Sequence, residues 1–278
     1  MIKILFIGDI SGVMGKLAIQ RELPKVKKEH SIDYVIANAE NTTKGRGLDW
    51  TDYNFLVKQG INFITMGNHT WHKADIYDIL KLKENIIRPA NIKSIFQESL
   101  VGHGSKVVKI KGKSFRITNL LGSSVVIKDM QTNPFLEIEK IIAEDKSDFH
   151  IVDFHCETTS EKNAFLLRYR SDVSAILGTH THVQTNDDRI INNTAYITDV
   201  GMTGAMNGII GAKPESIIRM FRGESDRFKL EESDTPYQFC AVVLSFDEKS
   251  NKVVNIEKIF KRQDLSLIHI WRCRRSTL

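Results

Sequence analysis

Apolar runs that stop abruptly at polar residues recur along this sequence, and they constrain its fold more than any other feature. The run at residues 2–7 stops at Gly8-Asp9, and the run at residues 34–39 stops at Glu40-Asn41. Three more runs, at residues 61–66, 151–154 and 173–177, stop at Gly67-Asn68-His69, at His155 and at Gly178-Thr179-His180. Runs of this length are typical of strands that are covered on both faces. We therefore expect buried strands that present polar side chains at their carboxyl ends.

Amphipathic stretches separate these strands, which indicates an α/β fold with strands wound in layers. The stretches cover residues 17–29, 51–59, 73–84 and 160–170. Farther along, residues 106–117 predict a hairpin around Lys111-Gly112-Lys113. Strands without long helices between them are predicted at residues 195–198, 239–246 and 253–260. These later segments predict a second, more antiparallel sheet.

The last fifteen residues differ from the rest of the chain in pattern and in charge. Residues 264–278 hold three arginines against one aspartate, so they supply +2 of the net charge of +5. Their ending, IHIWRCRRSTL, shows neither helical nor strand periodicity and is typical of a translated cloning remnant. We expect one domain at residues 1–263 and a non-native or disordered tail at residues 264–278.

The apolar runs are too short for a membrane protein. None approaches the roughly 20 residues that a membrane helix needs, and the first strand is not followed by a signal-peptide cleavage region. Cys156, Cys240 and Cys273 form no C-x-x-C pair, and we expect Cys156 and Cys240 to be buried. Outside the tail, basic residues form only short clusters such as the one at residues 25–28, which disfavours stable nucleic-acid binding. We therefore predict a cytoplasmic protein that binds no membrane.

The polar residues at the strand ends are of the types that bind metal ions in proteins. Each has an ordinary alternative when taken alone, because an Asp after a strand is usually a turn former and Glu40 could be a buried or capping acid. Open α/β sheets place their sites at the carboxyl ends of strands, so the five ends are expected to meet. Agreement at five ends favours a metal site. Glu40 is the natural bridge, since its two oxygens can reach two cations.

The sharpest single motif is Gly178-Thr179-His180-Thr181-His182. Two imidazoles that lie two residues apart point to opposite sides of an extended segment, so each can face a different metal ion. The alternative is a pair of surface histidines, or of core histidines with partners of their own. The second motif, Gly67-Asn68-His69-Thr70, offers an amide oxygen as a ligand and, beside it, an imidazole that can donate a proton.

These motifs resemble those of the calcineurin-like metallophosphoesterase superfamily, which run Gly-Asp, a second acidic block, Gly-Asn-His, an isolated His and Gly-His-x-His. More closely, the chain is similar to the bacterial YmdB-like family of 2′,3′-cyclic-nucleotide 2′-phosphodiesterases over residues 1 to about 262. The similar strings are GDISGVMG, NAENTTKGRGL, TMGNHTW, DFHCETTSEK, GTHTHVQT and AYITDVGMTG. The resemblance implies a layered αββα sandwich with two mixed sheets.

The resemblance also implies two metal ions that share one carboxylate. One ion is bound by Asp9, Glu40, Asn41 and His182, and the other by Glu40, Asn68, His155 and His180. Ser11 stands where most members of the superfamily have a histidine, and Glu40-Asn41 replaces the usual bridging aspartate; the YmdB-like family shares both departures. Asn41 is the nearest group that can fill the gap left by the missing imidazole. The ligand set suits iron, manganese or zinc, and the resemblance favours iron.

The expected activity is hydrolysis of a small phosphodiester, with 2′,3′-cyclic nucleotides as the leading substrates. Two cations about 3.5 to 4 Å apart can activate a shared water, whose hydroxide attacks phosphorus, and can hold the phosphoryl oxygens. The leaving alkoxide needs a proton, and His69, directly beside the ligand Asn68, is the predicted general acid. Arg46 follows the Glu40-Asn41 block and is a candidate for binding the phosphate, although an exposed loop arginine fits the sequence equally well.

Two other functions stay open at this point. One is a broader phosphoesterase, nucleases included, and the other is a noncatalytic regulator that keeps its metals and senses nucleotides. A nuclease is expected to have a long basic track with interleaved aromatics, and a noncatalytic relic is expected to have lost a ligand or His69. Residues 1–263 show neither feature. The sequence leaves the oligomeric state open, homo-oligomers included.

Overall fold

Two mixed β-sheets packed face to face form the centre of the fold. A computed structural model describes residues 1–93, 100–125, 127, 130–227 and 231–263. The strands are, in chain order, β1 Ile2–Ile7, β2 Asp9–Ile10, β3 Tyr34–Asn38, β4 Phe63–Thr65, β5 Ile92–Lys93, β6 Ser105–Ile110, β7 Lys113–Leu121, β8 Met130–Gln131, β9 Phe149–His155, β10 Ala175–Thr179, β11 Arg189–Ile191, β12 Thr194–Ile197, β13 Met202–Ala205, β14 Tyr237–Asp247 and β15 Lys252–Arg262. The α-helices are α1 Gly12–His30, α2 Trp50–Lys58, α3 Asp75–Leu82, α4 Pro134–Glu144, α5 Thr159–Tyr169 and α6 Pro214–Phe221.

The first sheet contains both the earliest and the latest strands of the described chain. Its order is β2-β13-β14-β1-β3-β4, and β15 pairs with the other edge of β14. Strand β1 runs parallel to β3 and antiparallel to β14. The second sheet has the order β11-β12-β10-β9-β7-β6, with a parallel centre at β7, β9, β10 and β12.

The prediction of a second, more antiparallel sheet was wrong in its grouping. The predicted strands at 239–246 and 253–260 form the hairpin β14–β15, which belongs to the first sheet. The predicted strand at 195–198 is β12, which runs parallel to β10 in the second sheet. Strand order depends on contacts between distant segments, and the local pattern does not contain them.

Three hydrophobic clusters define the layers of the fold. The first lies between the first sheet and helices α1 to α3, and includes Leu23 and Leu56. The second lies between the two sheets, where Phe6 shares a core with Phe115 and other side chains. The third lies between the second sheet and helices α4 and α5, and includes Phe165. The order of the layers is therefore helices, sheet, sheet, helices, which confirms the predicted αββα sandwich. Each fully buried Phe side chain stabilises this fold by about 1.5–3 kcal/mol.

Local sequence explains several element boundaries. The predicted hairpin is confirmed as β6–β7, and its two-residue turn places Lys111 and Gly112 at φ values of 48° and 85°. Positive φ at both central positions is the turn type that matches strand twist. Helix α4, which we did not predict, begins at Pro134 after the N-cap Asn133, whose side chain accepts a hydrogen bond from the amide of Phe135.

The remaining sequence predictions about the chain have mixed outcomes. Cys156 and Cys240 are fully buried free thiols, as expected. The predicted tail at residues 264–278 lies outside the described residues. Within the described ranges, none of the helices combines the length and the apolar character needed to cross a bilayer.

Candidate metal centre

The carboxyl ends of strands from both sheets meet at one place. Parallel strands β1, β3 and β4 of the first sheet lead to Asp9, Glu40 and Asn68. Parallel strands β9 and β10 of the second sheet lead to His155 and His180. The strand-end pattern of the sequence thus brings these five side chains together.

Two groups of possible ligand atoms share Glu40. Glu40, His155 and His180 offer ligand atoms that lie within 4.8 Å of one another, and so do Asp9, Glu40 and His182. The Nε2 atom of His155 lies 3.3 Å from Glu40 Oε1, 2.9 Å from Asn68 Oδ1 and 2.9 Å from His180 Nδ1. The seven residues suggested as ligands by the sequence therefore surround one small volume.

The donor set fits cations, because it concentrates buried negative charge that no lysine or arginine of the described chain balances. Asp9 and Glu40 are almost completely buried, and neither ion-pairs with a lysine or arginine of the described chain. The Oδ1 atom of Asp9 is buried and has no hydrogen-bond partner among the described residues. Burying an unpaired carboxylate oxygen is costly, and a cation at this point removes that cost.

The carboxylates of the centre favour a positively charged group beside them, as the pKa values of the neighbouring side chains show. Burial lowers the pKa of His155, but the carboxylates of Glu40, Asp9 and Asp153 outweigh it and raise this pKa to about 9. Burial raises the pKa of Glu40, but His155 outweighs it and holds that pKa far below its usual range. For Asp9, burial dominates over His155 and His182, so its pKa is raised.

Each candidate histidine has one ring nitrogen directed at the cluster and the other bound to a partner. The Nδ1 atom of His155 lies 2.9 Å from Thr179 Oγ1, which in turn donates to Asp153 Oδ1 at 2.7 Å. The Nδ1 atom of His182 lies 3.1 Å from the carbonyl oxygen of Ile210. Such partners fix the tautomer and leave the opposite nitrogen as a ligand.

In His180 the roles of the two ring nitrogens are exchanged: Nδ1 faces the cluster and Nε2 has the outside partner. Its Nε2 atom lies 2.9 Å from Glu157 Oε2, at the exposed rim, so Nδ1 is the atom that faces His155. Burial, together with the positive charge of His155, lowers the pKa of His180 to about 3. An uncharged ring is the form that binds a metal.

The turn that holds His180 and His182 is strained and firmly supported. The expected extended segment ends at Thr179, and the two histidines adopt φ values of 100° and 67°. Both values lie where residues other than glycine rarely occur. Asp199 Oδ2 accepts hydrogen bonds from the amide and the hydroxyl of Thr181 at 3.0 and 2.8 Å, and so supports the turn.

Two buried charged residues near the centre were not predicted from the sequence. Lys162 of α5 has no exposed surface, and it donates to Asp199 Oδ2 at 2.8 Å and to the carbonyl of Thr179 at 3.0 Å. Asp153 accepts from Thr65, Thr179 and Asn38, and burial raises its pKa to about 6. A signal for Lys162 existed, since it shares the helical spacing of buried Phe165 and Tyr169.

Asn41 lies beside the group formed by Asp9, Glu40 and His182, with its amide nitrogen turned towards two of them. Nδ2 donates to Glu40 Oε1 at 2.8 Å and lies 3.1 Å from His182 Nε2, while Oδ1 lies 2.7 Å from His69 Nδ1. Oxygen and nitrogen of an amide have nearly the same shape, so a half-turn of the amide directs the oxygen to the ligand atoms. Asn41 can serve as a ligand only in that second orientation.

Gly67 permits the close approach of the ligands. A Cβ atom at this position would lie 2.3 Å from Glu40 Oε2 and 2.6 Å from His155 Nε2. Only glycine leaves room for both side chains at the end of β4.

A cleft of about 270 Å³ opens over the centre and includes His69 and Arg46 in its walls. His69 is 23% exposed, and its backbone amide donates to Glu40 Oε2 at 3.0 Å. Burial lowers the pKa of His69 to about 4, against the opposing effect of Glu40. Arg46 is half-buried in the wall, where a phosphate in the cleft would meet it.

The chain is similar in sequence and in fold to several known proteins. A sequence model of the family described as YmdB-like protein matches residues 5–259. A Mycoplasma genitalium protein, provisionally named a phosphatase/phosphodiesterase, is 45% identical over 93% of this chain and 92% of its own. The 2′,3′-cyclic-nucleotide 2′-phosphodiesterase of Bacillus subtilis is 40% identical over 94% of this chain and 98% of its own. A crystal structure described as a novel phosphatase, from Mycoplasma pneumoniae, superimposes with a TM-score of 0.91 at 43% identity, covering 95% of this chain and 94% of that one.

Proposed function

We propose that this chain, which belongs to the YmdB-like protein family, is a two-metal phosphodiesterase that hydrolyses 2′,3′-cyclic nucleotides. The fold is that of the calcineurin-like phosphoesterases, and the chain is a hydrolytic enzyme of the phosphatase and phosphodiesterase class. The cyclic-nucleotide substrate and the number of metals belong to the proposal. The observation that supports it most is the pair of ligand groups that share Glu40.

The residues that would hold the metals divide between the two groups. Asp9, His182 and Asn41 would bind one ion, and Asn68, His155 and His180 the other, with Glu40 common to both. Cations bound at this site would lower the pKa of water and would neutralise charge on phosphoryl oxygens. The imidazole and oxygen donors suit iron, manganese or zinc, and we propose iron.

The protein itself contributes positioning and protons. In either orientation of the Asn41 amide, one of its polar atoms occupies His69 Nδ1 at 2.7 Å, so Nε2 is the ring nitrogen that can face the leaving oxygen. A negatively charged phosphodiester beside the ring favours its protonated form and so offsets the effect of burial. Arg46 can donate two hydrogen bonds to phosphoryl oxygens from the wall of the cleft.

Metal analysis and a substrate panel together test the proposal. Protein purified under anaerobic conditions should contain about two metal ions per chain, with iron predominant, and should hydrolyse 2′,3′-cyclic nucleotides faster than 3′,5′-cyclic nucleotides or short RNA. His182→Ala should lose one metal, whereas Glu40→Gln should lose both. Equal metal content in the two variants would contradict the shared role of Glu40.

A broader phosphoesterase is the second candidate, and the same panel separates it. Its support is the phosphatase named in the Mycoplasma relatives. Hydrolysis of phosphomonoesters as fast as that of cyclic nucleotides would favour it over the cyclic-nucleotide enzyme.

A further inference from the structure

A second and larger cleft adjoins the metal centre. Its volume is about 680 Å³, compared with about 270 Å³ for the cleft over the candidate ligands. His182 and Ile210 line both clefts. The two spaces therefore share a border formed by this pair of residues.

The larger cleft lies between strands of the first sheet and the segment that follows β10 of the second sheet. Gln238 of β14 and Phe260 of β15 form one wall, and Val183, in the segment after β10, forms part of the opposite wall. Phe260 pairs with Cys240 in the register of the β14–β15 hairpin, so its side chain lies on the face of the first sheet that is turned to the second. Met202 of β13 contributes to the part nearest the centre.

The walls offer a flat aromatic surface among aliphatic ones. Phe260 is 45% exposed, and the guanidinium of Arg262 lies 4.9 Å from the centroid of its ring. Val183 is 66% exposed. Exposed aromatic faces beside apolar side chains bind planar rings by stacking.

A few polar groups complete the cleft. The amide nitrogen of Gln238 donates to the carbonyl of Met202 at 3.1 Å, so its oxygen is the end that can accept a hydrogen bond from a ligand. The ammonium of Lys258 lies 3.1 Å from Asp188 and also contacts Asn186, and these contacts link the two walls at the rim. Apolar walls with a few fixed polar groups are typical of small-molecule sites.

We propose that this larger cleft binds the base of a nucleotide whose phosphate lies over the metal centre. The inference rests on the proposed function, since it takes the substrate to be a nucleotide. Size supports the placement. Pockets for small organic ligands usually measure about 300–1,000 Å³, and the metal cleft falls below this range even before it holds cations and a phosphate. The larger cleft lies within the range and begins at the ligand His182.

The test compares a cyclic nucleotide with a base-free analogue. The two substrates are 2′,3′-cyclic AMP and the 2,3-cyclic phosphate of 1-O-methylribose, which has a methoxy group in place of the base. The wild-type enzyme should prefer the nucleotide in kcat/KM by about 10-fold or more, the preference expected from stacking one base. Phe260→Ala should remove most of this preference. Val254→Ala, on the same strand and 46% exposed outside the cleft, should keep it.

The outcomes separate this inference from the proposed function. A preference that survives in Phe260→Ala, or that is absent from the wild type, overturns the base site; the base then lies over Ile217 in the smaller cleft or makes no contact.

If neither cyclic compound is hydrolysed, the proposed substrate is wrong, and calorimetric titration with adenosine 3′-phosphate and inorganic phosphate tests the cleft directly. Tighter binding of the nucleotide that is lost in Phe260→Ala then supports the cleft, and equal affinities overturn it. Phe260→Leu, which keeps apolar volume but removes the aromatic face, replaces the alanine variant if that variant does not fold.

Discussion

Replacing Lys162 by Met should destabilise the protein strongly, because it leaves the carboxylate of Asp199 buried without its cation. Both side chains are buried, and the pair is separated by 2.8 Å. Methionine keeps most of the length and apolar contact of lysine but has no charge. Breaking a buried ion pair by removing one partner lowers the free energy of unfolding by about 3–5 kcal/mol. For a chain of this size that corresponds to a melting temperature lower by roughly 6 to 20 °C.

The measurement is thermal and urea unfolding in the presence of a chelator, so that metal binding does not add to the stability of either protein. Lys140→Met is the matched control, because Lys140 pairs with Glu137 at 3.2 Å on the surface and its loss should change stability by less than about 1 kcal/mol. The double variant Lys162→Met/Asp199→Asn should recover part of the loss, since it removes both charges. Because Asp199 also holds the Thr181 turn, metal affinity in Lys162→Met should fall by about 10- to 100-fold. A melting temperature within two degrees of wild type, or a double variant as unstable as the sum of its parts, would refute the reasoning.

Three further predictions concern the centre and the chain end. His69→Ala should keep both metals while kcat on a 2′,3′-cyclic nucleotide falls by about 10²- to 10⁴-fold, with a smaller deficit on a nitrophenyl phosphodiester, whose leaving group needs no proton. Stoichiometric loss of metal, or equal deficits on both substrates, would exclude the acid role. Gly67→Ala should lower metal content sharply in elemental analysis, because the new Cβ atom would lie within 3 Å of both Glu40 and His155; normal metal content would show that β4 can shift. Deletion of residues 264–278 should leave the melting temperature and turnover nearly unchanged, and a loss of several degrees would show that the tail belongs to the fold.

The sequence was most informative where a local pattern reports directly on position. An apolar run followed by Asp9 or by Glu40 is visible within a few residues, and parallel strands carry such ends to a common edge. The α/β fold class and the gathering of the candidate ligands could be predicted for that reason, whereas the αββα layering was expected from the family resemblance. The conformation of the turn could not: an extended segment was expected, and the structure has positive φ at His180 and His182.

Features that depend on distant segments were missed. The helical spacing of Lys162 matches that of buried residues, but only its partner Asp199, 37 positions later, explains how a charged side chain is buried there. Asp153 lies inside an apolar run, where an acid has no local interpretation. The larger cleft joins Val183 to Phe260 across two sheets, and no single stretch of sequence contains it. Pairing of β14 with β1 is likewise invisible to periodicity, because strands of either sheet have the same period.

The pairing of β1 with β14 also sets the order in which the protein can be completed during synthesis. Strand β1 pairs with β3 on one edge, but its other edge has no partner until β14 is made. Translation at about 5–20 residues per second makes that delay roughly 12 to 48 s. During this time the open edge of β1 is a template for wrong pairing, so newly made chains are exposed to aggregation or chaperone binding. Asp9 follows this strand directly, and its surroundings at β13 and β14 form only after those strands have been made, so the metal centre should not be complete before β14 leaves the ribosome.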